Sequence, residues 1–178
     1  MIEMKVLGLA LDPQTNVTIV ILREMEGERA LPIWVGIFEA HAIAREIDSF
    51  QTPRPMTHDL IKNIINGVEG KVNRIVVNDL QDNTFFAEIR IQMNGSEVVI
   101  DSRPSDAIAL ALLMSAPIFV EEKILEEMAK SIEFTEPEEK EGEESDGRGE
   151  EEPFKEDKKD VKRWLENLKP DDFLKFEN

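Results

Sequence analysis

Residues 98–112 read VVIDSRPSDAIALAL, and residues 33–47 read IWVGIFEAHAIAREI; laid over one another at an offset of 65 residues, the two stretches align AIA on AIA and run in each case from an apolar strand into a helical pattern. In the earlier copy Ile37, Ala40, Ile43, Ala44 and Ile47 recur at helical spacing. In the later copy Pro104 suits the first helical turn, where its missing N–H costs nothing. The run after it is apolar on all sides, which predicts a buried helix over about Pro104–Met114.

Working outward from the pair, the same order of elements appears twice. Strand-like runs at Met4–Leu11, Val17–Met25 and Ala30–Val35 precede the first helix, separated by turn chemistry at DPQTN and EGE. The QTPRPMT segment breaks that helix, and Thr57 or Asp59 suits the cap of a second one that ends at Gly67 or Gly70. Strands then recur at Asn73–Leu80, Phe85–Met93 and Glu97–Ile100, followed by the apolar helix and a last one over about Glu121–Lys130. The expectation is an α+β fold of duplicated β3-α2 repeats, residues 1–68 and 69–132, forming one barrel-like mixed sheet flanked by helices.

The remainder of the chain has a different character. Of its 178 residues 41% are hydrophobic and 33% charged, with a net charge of −17. Residues 1–132 contribute 20 acids and 12 bases and have ordinary globular composition. Residues 133–153 contain the run EFTEPEEKEGEESDGRGEEE, too polar to bury anything, and read as a disordered acidic linker. In the tail, 154–178, Val161, Trp164, Leu165 and Leu168 share one helical face, so a short amphipathic helix is expected to dock on its own core or on a second subunit. An acidic surface disfavours sequence-independent capture of nucleic acid by a basic patch. The absence of cysteine excludes disulfides, thiolate nucleophiles and Cys-based zinc sites. No run approaches the roughly 20 apolar residues of a membrane span, and no signal-peptide pattern is present, which points to a cytoplasmic protein without a membrane partner.

The motifs LPIWVGIFEAHAIA, RPMTHDLI, DNTFFAEI, IDSRPSDAIALAL and APIFV, in that order, resemble the bifunctional nuclease family, the BFN domain, over about residues 4–130; the tail WLENLKPDDFLKF is similar to C-terminal extensions of bacterial members. The resemblance implies two β3-α2 repeats in one barrel-like sheet, a homodimer, and hydrolysis of RNA or DNA with little base preference.

Two readings of the DSRPSD cluster stand side by side. In one, Ser102, Ser105 and Asp106 are helix-start chemistry, a first-turn carboxylate gaining about 0.3–1 kcal/mol from the helix dipole, and Arg103 pairs with Asp101 or Asp106. In the other, the duplication sets Gly36, Phe38 and His41 in the positions of Asp101, Arg103 and Asp106. Glu39, His41, Asp101 and Asp106 then meet as ligands of Mg²⁺ or Mn²⁺, with Asp101, Arg103, Asp106 and His41 catalytic and Arg103 steadying the charge on a phosphodiester. His58 reads as a capping or loop residue, and a paired-histidine mechanism is disfavoured by the helix and loop between His41 and His58. Phe85 and Phe86 are adjacent strand residues on opposite faces, one a candidate for stacking on bases and the other for the core. The competing function is a non-enzymatic dimeric interaction module working through the acidic linker and tail.

Overall fold

The computed structural model describes residues 1–12, 15–133 and 173. Of the expected linker and tail, all but Glu133 and Phe173 lie outside the described residues, and so does the proposed Trp164 face. The elements are β1 (Ile2–Leu11), β2 (Thr18–Glu24), β3 (Ala30–Val35), α1 (Ile37–Ile47), α2 (Thr57–Gly67), β4 (Lys71–Gln81), β5 (Thr84–Met93), β6 (Ser96–Ser102), α3 (Pro104–Met114), β7 (Ile118–Val120) and α4 (Glu122–Glu133). Mixed α and β structure, in the expected order, is therefore present.

Two antiparallel meanders, β1-β2-β3 and β4-β5-β6, are joined through β7 into one seven-stranded sheet of order β3-β2-β1-β7-β4-β5-β6. The seam was not anticipated. APIFV yields a strand of three residues, which pairs antiparallel with β1 through Met4 and Ile118 and parallel with β4 through Ile75 and Ile118. A run that short carries no alternation that would distinguish it from a loop.

The sheet does not close into the expected barrel: among the described residues β3 and β6 end it as unpaired edges. Bulges between Val6 and Gly8, Val72 and Arg74, and Val77 and Asp79 supply local bend and twist, but β6 stays open, with Glu97 through Asp101 exposed.

Helix α3 lies at the centre of the helical layer, against β4 and β5 on one side and α1 and α2 on the other. Its residues from Ala107 to Ala111 are at most 1% exposed, so the all-round apolar run is explained by burial alone. The opposite sheet face carries a smaller cluster of Ala10, Ile19 and Ile21, covered by Ala30, Trp34 and Phe173. Phe173 bridges to Ala10 and lies directly over Gly8, where a Cβ would collide with its ring. One aromatic group of the tail is thus docked on the chain's own sheet.

Buried Arg45 ties α1 to the start of α2. Its Nη1 donates to Asp59 Oδ2 at 2.9 Å, and its Nε and Nη2 donate to Glu46 Oε1 at 2.9 and 2.6 Å. Neither Thr57 nor Asp59 is the cap residue itself: Met56 is, and Asp59 accepts the Met56 N–H from the third helical position at 2.8 Å. Burial alone would raise the Asp59 carboxyl, but the Met56 amide and Arg45 outweigh it and hold it below its ordinary value. A depressed carboxyl stabilises the fold above its unfolded-state pKa, and the contribution is lost as pH falls through the folded-state value. Arg45→Gln is expected to cost roughly 2 kcal/mol in urea unfolding at neutral pH, less than for a fully enclosed pair because Asp59 is partly solvated. It should also flatten the loss of stability on the acid side; an unchanged acid profile would remove this bridge from the account.

Candidate active site

Two helix starts converge on one arginine. Gly36 is the N-cap of α1 and Arg103 the N-cap of α3, and neither makes a side-chain capping bond. Counted from these caps, Glu39 and Asp106 each hold the third helical position. Arg103 donates from Nη1 to Glu39 Oε1 at 2.8 Å and from Nε to Asp106 Oδ2 at 2.7 Å. These hydrogen bonds to Asp106 first, and then Glu39, raise the Arg103 pKa above its ordinary value. The other Asp106 oxygen, Oδ1, is 3.2 Å from His58 Nε2. The Glu39 carboxylate lies close over Gly36, where a Cβ would require its free end to shift.

The Arg103 side chain is 65% exposed, and neither bond occupies Nη2. Its remaining donors are therefore open to an anion, beside two helix N-termini whose dipoles favour negative charge.

Arg103 and Glu39 form a wall common to two cavities. One, of about 320 Å³, runs between β3, the β4–β5 turn and the start of α3. The other, of about 350 Å³, is lined by His41, His58, Asp106, Phe38 and Phe50 as well. The two histidines that their sequence separation set apart thus border one space. The QTPRPMT loop carries the chain back so that the start of α2 faces α1, and the Arg45–Asp59 bridge fixes His58, the residue before Asp59. The signal that pointed to His58 was its place at a helix start, which capping explained equally well.

Of the residues expected to act together, Glu39, His41, Arg103 and Asp106 all border the second cavity, and Asp101 does not. Asp101 is exposed on β6, opposite Glu88, and lines neither cavity. Among the described residues no three His, Asp or Glu side chains gather as a metal site. The donor chemistry fits a resident divalent ion poorly for a positive reason: the facing oxygens of Glu39 and Asp106 are both engaged by the Arg103 cation. The predicted Arg103–Asp106 pair does form, and Asp106 gives its oxygens to side chains and not to the helix-start amides.

A guanidinium, two carboxylates and an imidazole thus meet at a cleft between helix starts of a mixed α and β domain. The chain belongs to the bifunctional nuclease domain family, whose model matches residues 20–133. It is also similar over almost its whole length to two Mycobacterium tuberculosis proteins, "Uncharacterized protein MT1877" of strain CDC 1551 / Oshkosh and "Uncharacterized protein Rv1829" of strain ATCC 25618 / H37Rv. Each is 36% identical over 171 residues, covering 96% of this chain and 97% of the relative. No helix among the described residues is long and apolar enough to cross a membrane.

Proposed function

We propose that the protein is a nuclease that hydrolyses phosphodiester bonds of RNA and DNA at Arg103, with little dependence on base. The observation that carries this reading is the Arg103 guanidinium held between Glu39 and Asp106 with donors to spare, at the rim of a cavity bordered by both histidines. Arg103 receives the phosphate and opposes the charge that grows on its oxygens. Asp106 holds the His58 Nε2 hydrogen, leaving Nδ1 to take a proton from water as the water oxygen bonds to phosphorus. The P–O bond to the leaving group breaks, and that oxygen takes a proton from His41.

The expected Mg²⁺ or Mn²⁺ is replaced in this reading by the Arg103 cation. Full-length protein incubated with labelled single-stranded RNA and DNA is expected to cut both and to keep at least half its activity in EDTA. Cleavage no greater than that of Arg103→Gln protein removes the reading. Activity lost in EDTA and restored by Mn²⁺ would instead assign Glu39 and Asp106 to a metal ion.

We propose further that the two β-β-β-α-α units arose by duplication and that the chain works as a homodimer. Exposed apolar residues support the second point: Val98, Val99 and Ile100 on the open β6 edge, and Leu60 and Ile64 along α2 with its C-cap Val68, at four-residue spacing. Sedimentation is expected to show a two-chain species that Val99→Lys converts to monomer. A native monomer would end this proposal. Against the interaction-module reading stands Phe173, one of four aromatic residues of the tail, which is packed on the chain's own sheet.

A further inference from the structure

We infer that the cavity between β3 and the β4–β5 turn is a nucleobase subsite, so that a nucleotide docks with its base in this slot and its phosphate on Arg103. The inference deepens the nuclease reading and rests on it for the cleavage step. Ile33, Val35, Phe85 and Met128 supply its apolar lining, and Asn83 and Thr84 stand with Arg103 among the polar lining groups. A half-open, mainly apolar cleft of about 320 Å³ with a few polar groups has the size and character of a small-ligand site.

The chemistry favours a flat heteroaromatic ring. Such a ring offers apolar faces to the walls and hydrogen-bonding edges to the amide and hydroxyl, and its stacking on an aromatic side chain is largely independent of which base it is. Phe85 is half-buried and packed against the core, which holds it ready without the cost of ordering it on binding. The shared Arg103–Glu39 wall sets this slot next to the cavity that holds His41 and His58. A nucleotide seated by its base and gripped by its phosphate therefore presents its phosphodiester to the histidines. Asp101 has no part in this arrangement.

The test is calorimetric titration of the full chain with adenosine monophosphate, uridine monophosphate and ribose 5-phosphate. Both nucleotides are expected to bind at least tenfold more tightly than the sugar phosphate. Phe85→Leu keeps an apolar side chain but removes the ring, and it should weaken both nucleotides about tenfold while leaving ribose 5-phosphate unchanged. Asn83→Gly provides a second variant whose backbone is safe, because Asn83 has φ +60°, which glycine adopts freely; it should weaken the nucleotides several-fold. Nucleotides that bind no better than ribose 5-phosphate, or variants that both keep the native preference, overturn the subsite. Nucleotide binding with these dependences in a protein that cuts no RNA or DNA removes the nuclease reading and leaves the subsite standing. Cleavage by a protein without the nucleotide preference removes the subsite alone.

Discussion

Arg103→Gln protein is expected to lose about 10²–10³-fold in phosphodiester cleavage, the range found when one preorganised donor to a developing oxyanion is removed. Glutamine keeps some length and one amide donor but no charge, and it cannot serve Glu39 and Asp106 together. Two consequences combine. The phosphate loses its cation, and the two carboxylates that Arg103 bridged, 2.8 and 2.7 Å away, are left facing the substrate as uncompensated negative charge. Arg103→Lys restores the charge without the planar fork, since a single ammonium has no rigid second arm for the other carboxylate. Its activity should fall between native and Arg103→Gln. Stability serves as the control: the side chain is largely exposed, so the urea midpoint of either variant should stay close to native. Full cleavage by Arg103→Gln protein would place the chemistry elsewhere on the molecule.

His58→Gln is expected to reduce the rate by about 10²–10⁴-fold, the usual contribution of a positioned acid or base. Asp106→Asn should cost nearly as much as His58→Gln, because asparagine has one acceptor oxygen for two donors: with that oxygen on Arg103, its NH2 donates to His58 Nε2 and moves the ring hydrogen to Nδ1, the position of the base. The diagnostic is non-additivity. If Asp106 acts by orienting His58, the double variant should be little worse than His58→Gln alone. Strictly multiplicative losses would show that Asp106 and His58 work separately, despite the 3.2 Å contact between them.

Much of this was legible in the amino-acid order. The helices over 37–47 and 104–114 announced themselves by spacing and by Pro104, and six of the seven strands by β-branched runs bounded with turn residues. Strand β7 was not legible, since three apolar residues between helices look the same as a buried connection. The open sheet was equally hidden: whether two meanders curl far enough to meet depends on summed twist and bulges, which no local window contains.

The site was half visible. Arg103 beside Asp106 could be read as an ion pair, and Glu39 was named with it. The AIA alignment, however, set His41 opposite Asp106, whereas the caps Gly36 and Arg103 make Glu39 the residue at the matching helical position. The two alignments differ by two residues, more than half a helical turn, a difference that goes unseen when apolar residues drive the match. His58 was discounted because distance along the chain says little about distance in space once a Pro-rich loop reverses direction. Asp101 is adjacent in sequence to the site but sits exposed on the edge strand β6 and lines neither cavity.

The seam at β7 has a bearing on how the molecule must be assembled. Glu39 and Arg103 follow different meanders, on α1 and at the cap of α3, and among the described residues the sheet connects those meanders through the three-residue strand Ile118–Val120. Mispairing by one position there would displace one half against the other by about 3.3 Å, more than the whole 2.8 Å span from Glu39 to Arg103. Activity would then vanish in a molecule with nearly all its secondary structure intact, so that chemical competence becomes a gauge of whether the halves were zipped together in the correct frame.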